Sequence, residues 1–267
     1  MLISDLESFL FRCFPKSDAE SWDHVGLSVG DPQAEVTGVV CALDVSTEAI
    51  EWASAHGCNV LLTHHPIYLD APTCFSPAKD RFGSASAAVY RAASLSVGVL
   101  SFHTNLDRSH DARKCVGKAI ELAAVSSLDH FDDPALTGYG AVFELAEKKT
   151  LSQLVDTCSR VFDTQPRVWG EPDRICSQMV FVGGSAGSFC NDALDLGADV
   201  LVCGEMGYHA ALDASARGLS IVLLGHDRSE ELFTSILVNR ARQFLGSDVP
   251  VFTYLCPNQW WTARKEF

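Results

Sequence analysis

The chain has 267 residues, of which 47% are hydrophobic and 20% are charged, and its formal net charge at pH 7 is −14. This composition excludes a disordered chain and is typical of a globular protein with one large domain or two packed domains. The acidic excess disfavours nucleic acids and anionic lipid surfaces as partners, because both repel a negatively charged protein. The basic residues are scattered, and their densest group, residues 108–118, also contains Asp111.

The cysteines and the N-terminal segment indicate a cytoplasmic protein with no membrane partner. The ten cysteines include no C-x-x-C pair, and several lie in apolar runs such as residues 39–43, as small core residues do. Residues 1–7 are acidic and lack the basic region of a signal peptide, and no apolar run approaches the roughly 20 residues of a membrane span. We therefore expect reduced thiols and a cytoplasmic location.

The first half of the chain predicts a βαβαβ unit. Short apolar, β-rich runs are typical of buried parallel strands, and the segments between them have helical patterns. Ser46 or Thr47 can cap the first helix, and Gly57 can end it. The predicted elements are strand 36–43, helix 47–56, strand 58–63, helix 84–94 and strand 97–102.

The second half repeats this pattern, with strand 179–183, helix 189–196 and strand 199–203. When the two halves are aligned, His65 and Glu205 fall at equivalent strand ends. The next strand of each half is followed by a histidine and an acid four residues apart, His103-x-x-x-Asp107 and His226-x-x-x-Glu230. We interpret this correspondence as a degenerate internal duplication.

These elements predict an α/β fold of two pseudo-repeated three-layer αβα domains with mostly parallel sheets. Residues 132–140 have the composition of a boundary, after which strand 141–145 and helix 151–161 begin a new set of elements. The run 249–255 predicts one more strand, returning to the first sheet. We expect a metal-binding α/β domain formed by residues 1–130 together with about 225–267, and an inserted second α/β domain at 131–224.

Polar side chains that can bind metal ions follow several of the predicted strands. The loops at the carboxyl ends of parallel strands converge, so ligands collect there. His64 and His65 follow an apolar strand, and Pro66 keeps the chain from entering a helix at once. Adjacent side chains of extended backbone point in opposite directions, so the pair suits two metal ions better than one. Taken alone, such a pair is equally typical of loop histidines.

Asp107, His226 and Glu230 lie at other strand ends and strengthen the metal hypothesis. Imidazole and carboxylate ligands suit Zn, Fe or Mn. A carboxylate can bridge two cations, and Asp107 is the candidate for that role. His226 and Glu230 stack on one face if residue 227 opens a helix. A first-turn acid is ordinary by itself, but that alternative leaves His226 unexplained.

Four segments of the sequence together resemble a known family. They are 22–27 (WDHVGL), 62–66 (LTHHP), 103–107 (HTNLD) and 225–230 (GHDRSE). In this order and spacing they resemble the dinuclear-metal family of GTP cyclohydrolase I type 2 homologs, the Ngg-interacting-factor-three-like proteins. The chain departs from the family at His24, where Asn is usual, and at Asp227, where an aromatic residue or histidine is common. Both departures concern substrate contacts more than metal binding.

The resemblance implies a pair of α/β domains assembled into toroidal homohexamers, with two divalent metal ions per subunit. The ligands that it carries over are the same five residues that the strand ends predict: His64, His65, Asp107, His226 and Glu230. The identity of the metal, Zn, Fe or Mn, is not determined by this set.

Metal-assisted hydrolysis of a nucleotide or a related small molecule is the leading functional hypothesis. His103 is the candidate general acid or base, and its alternative role is to orient Asp107. Glu205 and His209 are further catalytic candidates, although an ordinary helix-start acid and a helix-face histidine explain them equally well.

Two other functions stay open at this point. The first is a phosphodiesterase, since the His-His-Pro turn resembles part of the Asp-His-His motif of another phosphoesterase family, with Thr63 in place of the aspartate. The second is a non-enzymatic metal-binding oligomeric scaffold, which the acidic charge suits because it favours protein partners over DNA. The family name suggests GTP as substrate, but the sequence has no recognisable guanine pocket.

Overall fold

The computed structural model describes residues 1–257 and 260–262. The predicted domain segment 225–267 therefore runs in part, at residues 258, 259 and 263–267, outside the described residues. The strands in chain order are β1 (Gly26–Val29), β2 (Val39–Ala42), β3 (Val60–Thr63), β4 (Gly98–Ser101), β5 (Ala141–Thr150), β6 (Arg167–Trp169), β7 (Ile175–Ser185), β8 (Val200–Glu205), β9 (Ser220–Leu223) and β10 (Val251–Thr253).

Helices connect these strands, and two short 3-10 helices lie at Lys16–Asp18 and Glu231–Phe233. The α-helices in chain order are α1 (Ile3–Cys13), α2 (Thr47–Ala55), α3 (Lys79–Phe82), α4 (Ser84–Ser94), α5 (Thr104–Asp107), α6 (His110–Ile120), α7 (Leu151–Val161), α8 (Phe189–Asp195), α9 (Tyr208–Ala216), α10 (His226–Glu230) and α11 (Thr234–Leu245).

The first sheet has the strand order β1-β4-β3-β2-β10. Its strands β4, β3, β2 and β10 are parallel, and β1 is antiparallel to β4 at the edge. Every residue of β2, β3 and β4 is buried, as expected for parallel strands covered on both faces. The prediction that the C-terminal run returns to the first sheet is confirmed, since Val251 pairs with Val39.

The second sheet has the strand order β5-β7-β8-β9-β6. The central strands β7, β8 and β9 are parallel, and β5 and β6 are antiparallel strands at the two edges. Both sheets therefore contain three consecutive parallel strands joined by helices, β2-α2-β3-α4-β4 in one and β7-α8-β8-α9-β9 in the other. This confirms an α/β fold built from two related, mostly parallel sheets.

The chain divides into two compact units, one around each sheet. Of the described residues, unit 1 comprises 1–106 and 233–257, and unit 2 comprises 107–232 and 260–262. The boundaries of these units differ from those of the predicted domains. The predicted domain ranges therefore stay a prediction. In the part of the chain that is described, none of the helices has the length and apolar character required to cross a bilayer.

Each unit has its own apolar core against its sheet. In unit 1 the core includes Val40, Leu61 and Val99 from the strands and Ile50 from α2. In unit 2 the core includes residues from both strands and helices, among them Val180, Leu201, Ile221, Ala193 and Ala214. Six cysteines are buried as the sequence predicted: Cys41, Cys58, Cys158, Cys176, Cys190 and Cys203.

Local sequence signals account for the helix ends near the site. The Ser46 hydroxyl accepts a hydrogen bond from the backbone N–H of Ala49 at 3.0 Å, so Ser46 is the N-cap of α2. Gly57 follows this helix with a φ of +71°, which glycine adopts without steric cost. In unit 2, Thr150 and Gln153 form a reciprocal capping box at the start of α7.

Candidate metal centre

In unit 1, the turn after β3 holds His64 and His65 on a backbone that is still bonded to the sheet. The backbone N–H of His65 donates to the Leu43 carbonyl at 2.9 Å. The Thr63 hydroxyl donates to the His65 carbonyl at 2.7 Å, which closes the turn from the other side. His64 is fully buried, and the side chain of His65 is 20% exposed. The two imidazoles therefore have fixed positions at the carboxyl end of the strand.

Hydrogen bonds orient both imidazoles through Nδ1. His64 Nδ1 is 3.0 Å from the Phe102 carbonyl oxygen, and His65 Nδ1 is 2.7 Å from Asp44 Oδ1. Since a carbonyl oxygen and a carboxylate can only accept, Nδ1 carries the proton in both rings. The same orientation occurs in metal-binding histidines, which bind through one nitrogen while the other donates to a backbone carbonyl or a carboxylate.

His103 has the same arrangement just after β4. Its Nδ1 lies 3.0 Å from Asp23 Oδ1, and Asp23 Oδ2 accepts from the backbone N–H of Thr104 at 3.0 Å and from its hydroxyl. Burial alone would raise the pKa of Asp23, but the hydrogen bond and charge of His103, with the bonds from Thr104, lower that pKa to about 2. Asp23 is therefore ionised and holds the Nδ1 proton of His103.

These three histidines of unit 1 form one cluster, which we call the imidazole set: His64, His65 and His103. A ligand nitrogen from each lies within 4.8 Å of the other two. The ring centroids are 5.1 Å apart for His64 and His65, 5.3 Å for His64 and His103, and 5.5 Å for His65 and His103. The spacing and the donor chemistry fit a divalent ion that accepts nitrogen ligands.

In unit 2, two glycines allow α10 to lie close against the ends of β7 and β8. A Cβ on Gly184 would stand 2.4 Å from Glu230 Oε1, and a Cβ on Gly204 would stand 2.6 Å from Ser229 Oγ. The backbone N–H of Gly184 donates to the Ser229 hydroxyl at 2.9 Å, and that hydroxyl donates to the His226 carbonyl at 2.7 Å. Gly184 and Ser229 thereby position both His226 and Glu230.

His226 lies between two carboxylates. Its Nδ1 is 3.0 Å from Glu205 Oε1, and its Nε2 is 3.1 Å from Glu230 Oε2. The hydrogen bond to Glu230 is the largest of the effects that raise the pKa of His226 to about 9, and Glu205 raises that pKa further while burial opposes the shift. The metal-free imidazole therefore carries both protons at neutral pH, and a metal ion must displace the Nε2 proton in order to bind there.

Asp107 completes the donors of unit 2, which we call the carboxylate set: Asp107, His226 and Glu230. A carboxylate oxygen of Asp107, at the end of α5, lies within 4.8 Å of one from Glu230. Glu230 is 3% exposed, so its carboxylate is desolvated as well as close to a second acid. A buried carboxylate close to a second acid fits a cation, because a cation offsets both the repulsion and the lost hydration.

The other predicted site residues have different surroundings. Glu205 contacts His226 and orients it, whereas His209 is an exposed residue of α9 whose ring lies 5.4 Å from that of Tyr208. Of the two departures from the family, His24 binds the Leu69 carbonyl through Nε2 at 3.0 Å. Asp227 Oδ1 accepts from the indole N–H of Trp260 at 3.0 Å. Among the described residues, none of these four joins a cluster of close metal donors.

The sequence analysis missed several residues that position the ligands. Asp44 lies two residues after the end of β2, and its place near a strand end was an available signal. Asp23 lies in the segment that carries the resemblance, but nothing in the sequence pairs it with His103. The acceptor at Phe102 is a backbone carbonyl, so no side chain in the sequence indicates it. Gly184 is one of 19 glycines, and nothing local distinguishes it, because its role depends on a contact with Glu230 more than 40 residues away.

Comparisons with known proteins identify the family of the chain. Residues 1–257 match the family model described as Duf34/NIF3 (NGG1p interacting factor 3). A GTP cyclohydrolase 1 type 2 homolog of Clostridium acetobutylicum is 29% identical over 231 residues, which cover 85% of each chain. A protein of the same name from Clostridium perfringens is 26% identical over 253 residues, covering 93% of this chain and 94% of that protein.

Solved structures show the same fold. A hypothetical protein of Staphylococcus aureus has a TM-score of 0.85 at 24% identity, with 98% of this chain and 99% of that chain covered. A Bacillus cereus protein related to NIF3 has a TM-score of 0.81 at 19% identity, with 100% and 99% covered. The family match over nearly the whole chain and the shared fold lead to one conclusion: the chain belongs to the Duf34/NIF3 family.

Proposed function

We propose that this protein is a metal-dependent hydrolase that acts on a nucleotide or a related small molecule. Two divalent metal ions per chain, Zn, Fe or Mn, would be held by His64, His65, Asp107, His226 and Glu230. In unit 1 the Nδ1 atoms of His64 and His65 already contact acceptors, and in unit 2 His226 must lose one proton before its Nε2 can bind a metal ion.

One observation carries the proposal: the Nδ1 atoms of His64, His65 and His226 each contact an acceptor, Phe102 O, Asp44 Oδ1 or Glu205 Oε1. Packing in a protein core does not require three histidines to contact acceptors through the same ring nitrogen. Histidines that bind metal through Nε2 require it, because it fixes both the tautomer and the ring plane.

When bound, divalent ions supply a water molecule of lowered pKa and polarise the bond under attack. The chain's own contribution is to hold its ligands in place before the substrate arrives. Asp44 and Glu205 keep the rings of His65 and His226 oriented, and the buried Glu230 cannot exchange its partners with bulk water. The predicted role of His103 as a general acid or base, or as a partner of Asp107, stays a prediction.

The relatives' names suggest the substrate class, since both are GTP cyclohydrolase 1 type 2 homologs. Opening a purine ring and cleaving a phosphodiester need the same metal chemistry, so a phosphodiesterase activity is the alternative within this proposal. A screen should therefore include GTP, cyclic nucleotides and linear phosphodiesters.

The test compares the wild-type chain with Asp107→Ala and with Asp213→Ala as matched control. Asp213 is an exposed carboxylate on α9 that pairs with Arg217, so its removal changes the charge equally without touching the carboxylate set. Metals per chain and turnover are measured for all three. We expect turnover by the wild type and by Asp213→Ala, and loss of metal together with turnover in Asp107→Ala.

Full metal occupancy with no turnover on any substrate class would contradict the hydrolase and support a non-enzymatic metal-binding scaffold. We also propose a cytoplasmic protein that assembles into homohexamers, as the resemblance implies. Light scattering coupled to size-exclusion chromatography measures the assembly: a mass near six times 28.9 kDa supports it, and a mass of 28.9 kDa contradicts it.

A further inference from the structure

We infer that Trp260, near the C-terminus, is a positioning residue that fastens the first turn of α10 and so holds His226 in place. This inference rests on the metal binding in the proposed function but not on hydrolysis. Trp260 belongs to unit 2, as α10 does. It lies beyond residues 1–257, which match the family model, so the family match does not account for the contacts of its indole.

The helix α10 depends on contacts with other parts of unit 2. It has only five residues, and an isolated helix of this length is unstable in water. Its N-cap is Gly225, which has no side chain to accept from the backbone N–H groups of the first turn. Gly184 and Gly204 let the helix pack against the ends of β7 and β8. The two residues that flank His226 are held by a different part of the chain.

Trp260 contacts both of these flanking residues, Gly225 and Asp227. Its indole N–H donates to Asp227 Oδ1 at 3.0 Å. Its ring lies directly on Gly225, where an added Cβ would stand 2.8 Å from Cζ2 of the indole. The φ of Gly225 is +103°, so glycine allows both this turn and the close approach of the ring. His226 is thereby fixed through its neighbours on either side in the sequence.

The indole is the closest polar partner that the described residues offer to Asp227. Arg228 Nε is 4.0 Å from Asp227 Oδ2, which is too long for a hydrogen bond. Arg228 in turn pairs with Asp163 at 3.5 Å, but the Asp163 side chain is 95% exposed, and such surface pairs contribute little. The position of Asp227 therefore depends mainly on Trp260.

A fixed first turn matters because both nitrogens of His226 have close partners. Nδ1 is 3.0 Å from Glu205 Oε1, and Nε2 is 3.1 Å from Glu230 Oε2. A bound metal ion tolerates errors of only about 0.2 Å in its ligand distances. A loosened first turn would move the ring relative to both glutamates, so metal affinity should fall as it does when other groups that orient a ligand are removed.

The experiment uses the full chain and two measurements. Hydrogen exchange of the metal-free protein, read by mass spectrometry, compares peptides that span α10 with peptides that span α9. Competition with chelators then measures the affinity for Co²⁺. The variants are Trp260→Ala, Trp260→Phe, which keeps a ring over Gly225, and Asp227→Asn, which keeps an acceptor for the indole. The matched control is Trp261→Ala, because Trp261 is the adjacent indole and is 81% exposed.

We expect Trp260→Ala to speed amide exchange in α10 by about 10-fold or more while exchange in α9 stays unchanged. It should also weaken one bound Co²⁺ ion by about 10-fold or more. Trp260→Phe and Asp227→Asn should have smaller effects, because each keeps one of the two contacts. Trp261→Ala should match the wild type.

Unchanged exchange in α10 and unchanged affinity in Trp260→Ala would overturn the inference, and the indole would then only anchor the C-terminal segment. Equal effects of Trp260→Ala and Trp261→Ala would overturn it as well. Thermal unfolding identifies a variant that fails to fold, and Trp260→Phe then provides the comparison. A chain that binds Co²⁺ but hydrolyses no substrate contradicts the hydrolase alone, whereas a wild-type chain that binds no Co²⁺ contradicts both proposals.

Discussion

Units 1 and 2 carry metal donors of opposite chemistry on the same arrangement of strands and helices. In the imidazole set of unit 1, each Nδ1 contacts an oxygen acceptor. The carboxylate set of unit 2 includes the buried Glu230, and its one histidine, His226, has a pKa of about 9. In both units the donors follow the ends of parallel strands.

The shared topology places metal donors after the ends of parallel strands in both units. The residues that contact those donors differ between the units, and they determine how the histidines are hydrogen-bonded. In unit 1 the residues that contact the histidines are a carbonyl and aspartates that hold a single proton. In unit 2 two glutamates hold both nitrogens of His226. We therefore expect nitrogen-preferring ions such as Zn²⁺ to favour unit 1, and oxygen-preferring ions such as Mn²⁺ to favour unit 2.

The largest effect is expected from Glu230→Gln. This change keeps the size of the side chain but removes a buried charge that contacts His226 and lies near Asp107. We expect metal affinity in unit 2 to fall by about 100-fold or more. Metal analysis after gel filtration checks it, and Glu231→Gln, one residue further along, is the charge-matched control. Two retained metal ions in Glu230→Gln would remove Glu230 from the ligands.

Gly184→Ala should give the next largest effect. Its φ of +59° disfavours alanine, and the added Cβ would stand 2.4 Å from Glu230 Oε1. We expect about 1–3 kcal/mol less free energy of unfolding and weaker metal binding. Gly187→Ala is the control, since Gly187 has a φ of +44° with nothing within 4 Å of a Cβ, so it tests backbone strain alone. Equal metal affinities in the two variants would show that the contact with Glu230 does not matter.

The pH dependence of metal binding should separate the two units. His226 must lose a proton to bind metal through Nε2, so affinity in unit 2 should rise about tenfold per pH unit from pH 7 towards 9. Glu205→Gln should shift this rise to lower pH, because Glu205 raises the pKa of His226. Isothermal titration calorimetry in buffers of different ionisation enthalpy measures the protons released. A wild-type affinity independent of pH in this range would contradict the assignment of His226 as a ligand.

The same histidine affects the stability of the metal-free chain. Its folded pKa of about 9 lies above the ordinary value of 6.5, so its contribution is fully present below pH 6.5 and is lost as pH rises through 9. We expect the unfolding temperature of the metal-free protein to fall over this range. His226→Asn should reduce that fall, and an identical fall in the variant would show that another group causes it.

The smallest effects should come from the helix caps, which test whether the two units are equivalent as scaffolds. Ser46→Ala in unit 1 and Thr150→Ala in unit 2 each remove a side-chain acceptor from a helix N-terminus. Each should lower the free energy of unfolding by about 1 kcal/mol and leave metal binding unchanged. Chemical denaturation and metal analysis check this, and lost metal in either variant would contradict a purely structural role.

The sequence predicted the fold well because its signals are local. Apolar runs with β-branched residues indicated the central strands, and helices α4 and α7 match the predicted ranges 84–94 and 151–161. The duplicated pattern showed that the two halves share a topology. The boundaries of the compact units have no such local signal, because they depend on how residues far apart in the chain pack.

Of the candidate site, the sequence predicted the metal ligands but not the groups that hydrogen-bond to them. Histidines and acids after strand ends are visible in the sequence, and His103 was visible too. The groups behind the ligands were not visible. Asp23 lies 80 residues before His103, and the two meet only in the folded chain. Whether His226 is protonated likewise depends on two glutamates that the fold places on either side of it.

The most direct test of the account is anomalous X-ray diffraction from crystals of the metal-loaded chain, recorded above and below the absorption edge of the bound metal. The account predicts two peaks per chain. One should lie within bonding distance of Nε2 atoms of the imidazole set, and the other within bonding distance of His226 Nε2 and a Glu230 oxygen. An absence of peaks at these atoms in crystals that contain the metal would contradict the central claim that these residues bind it.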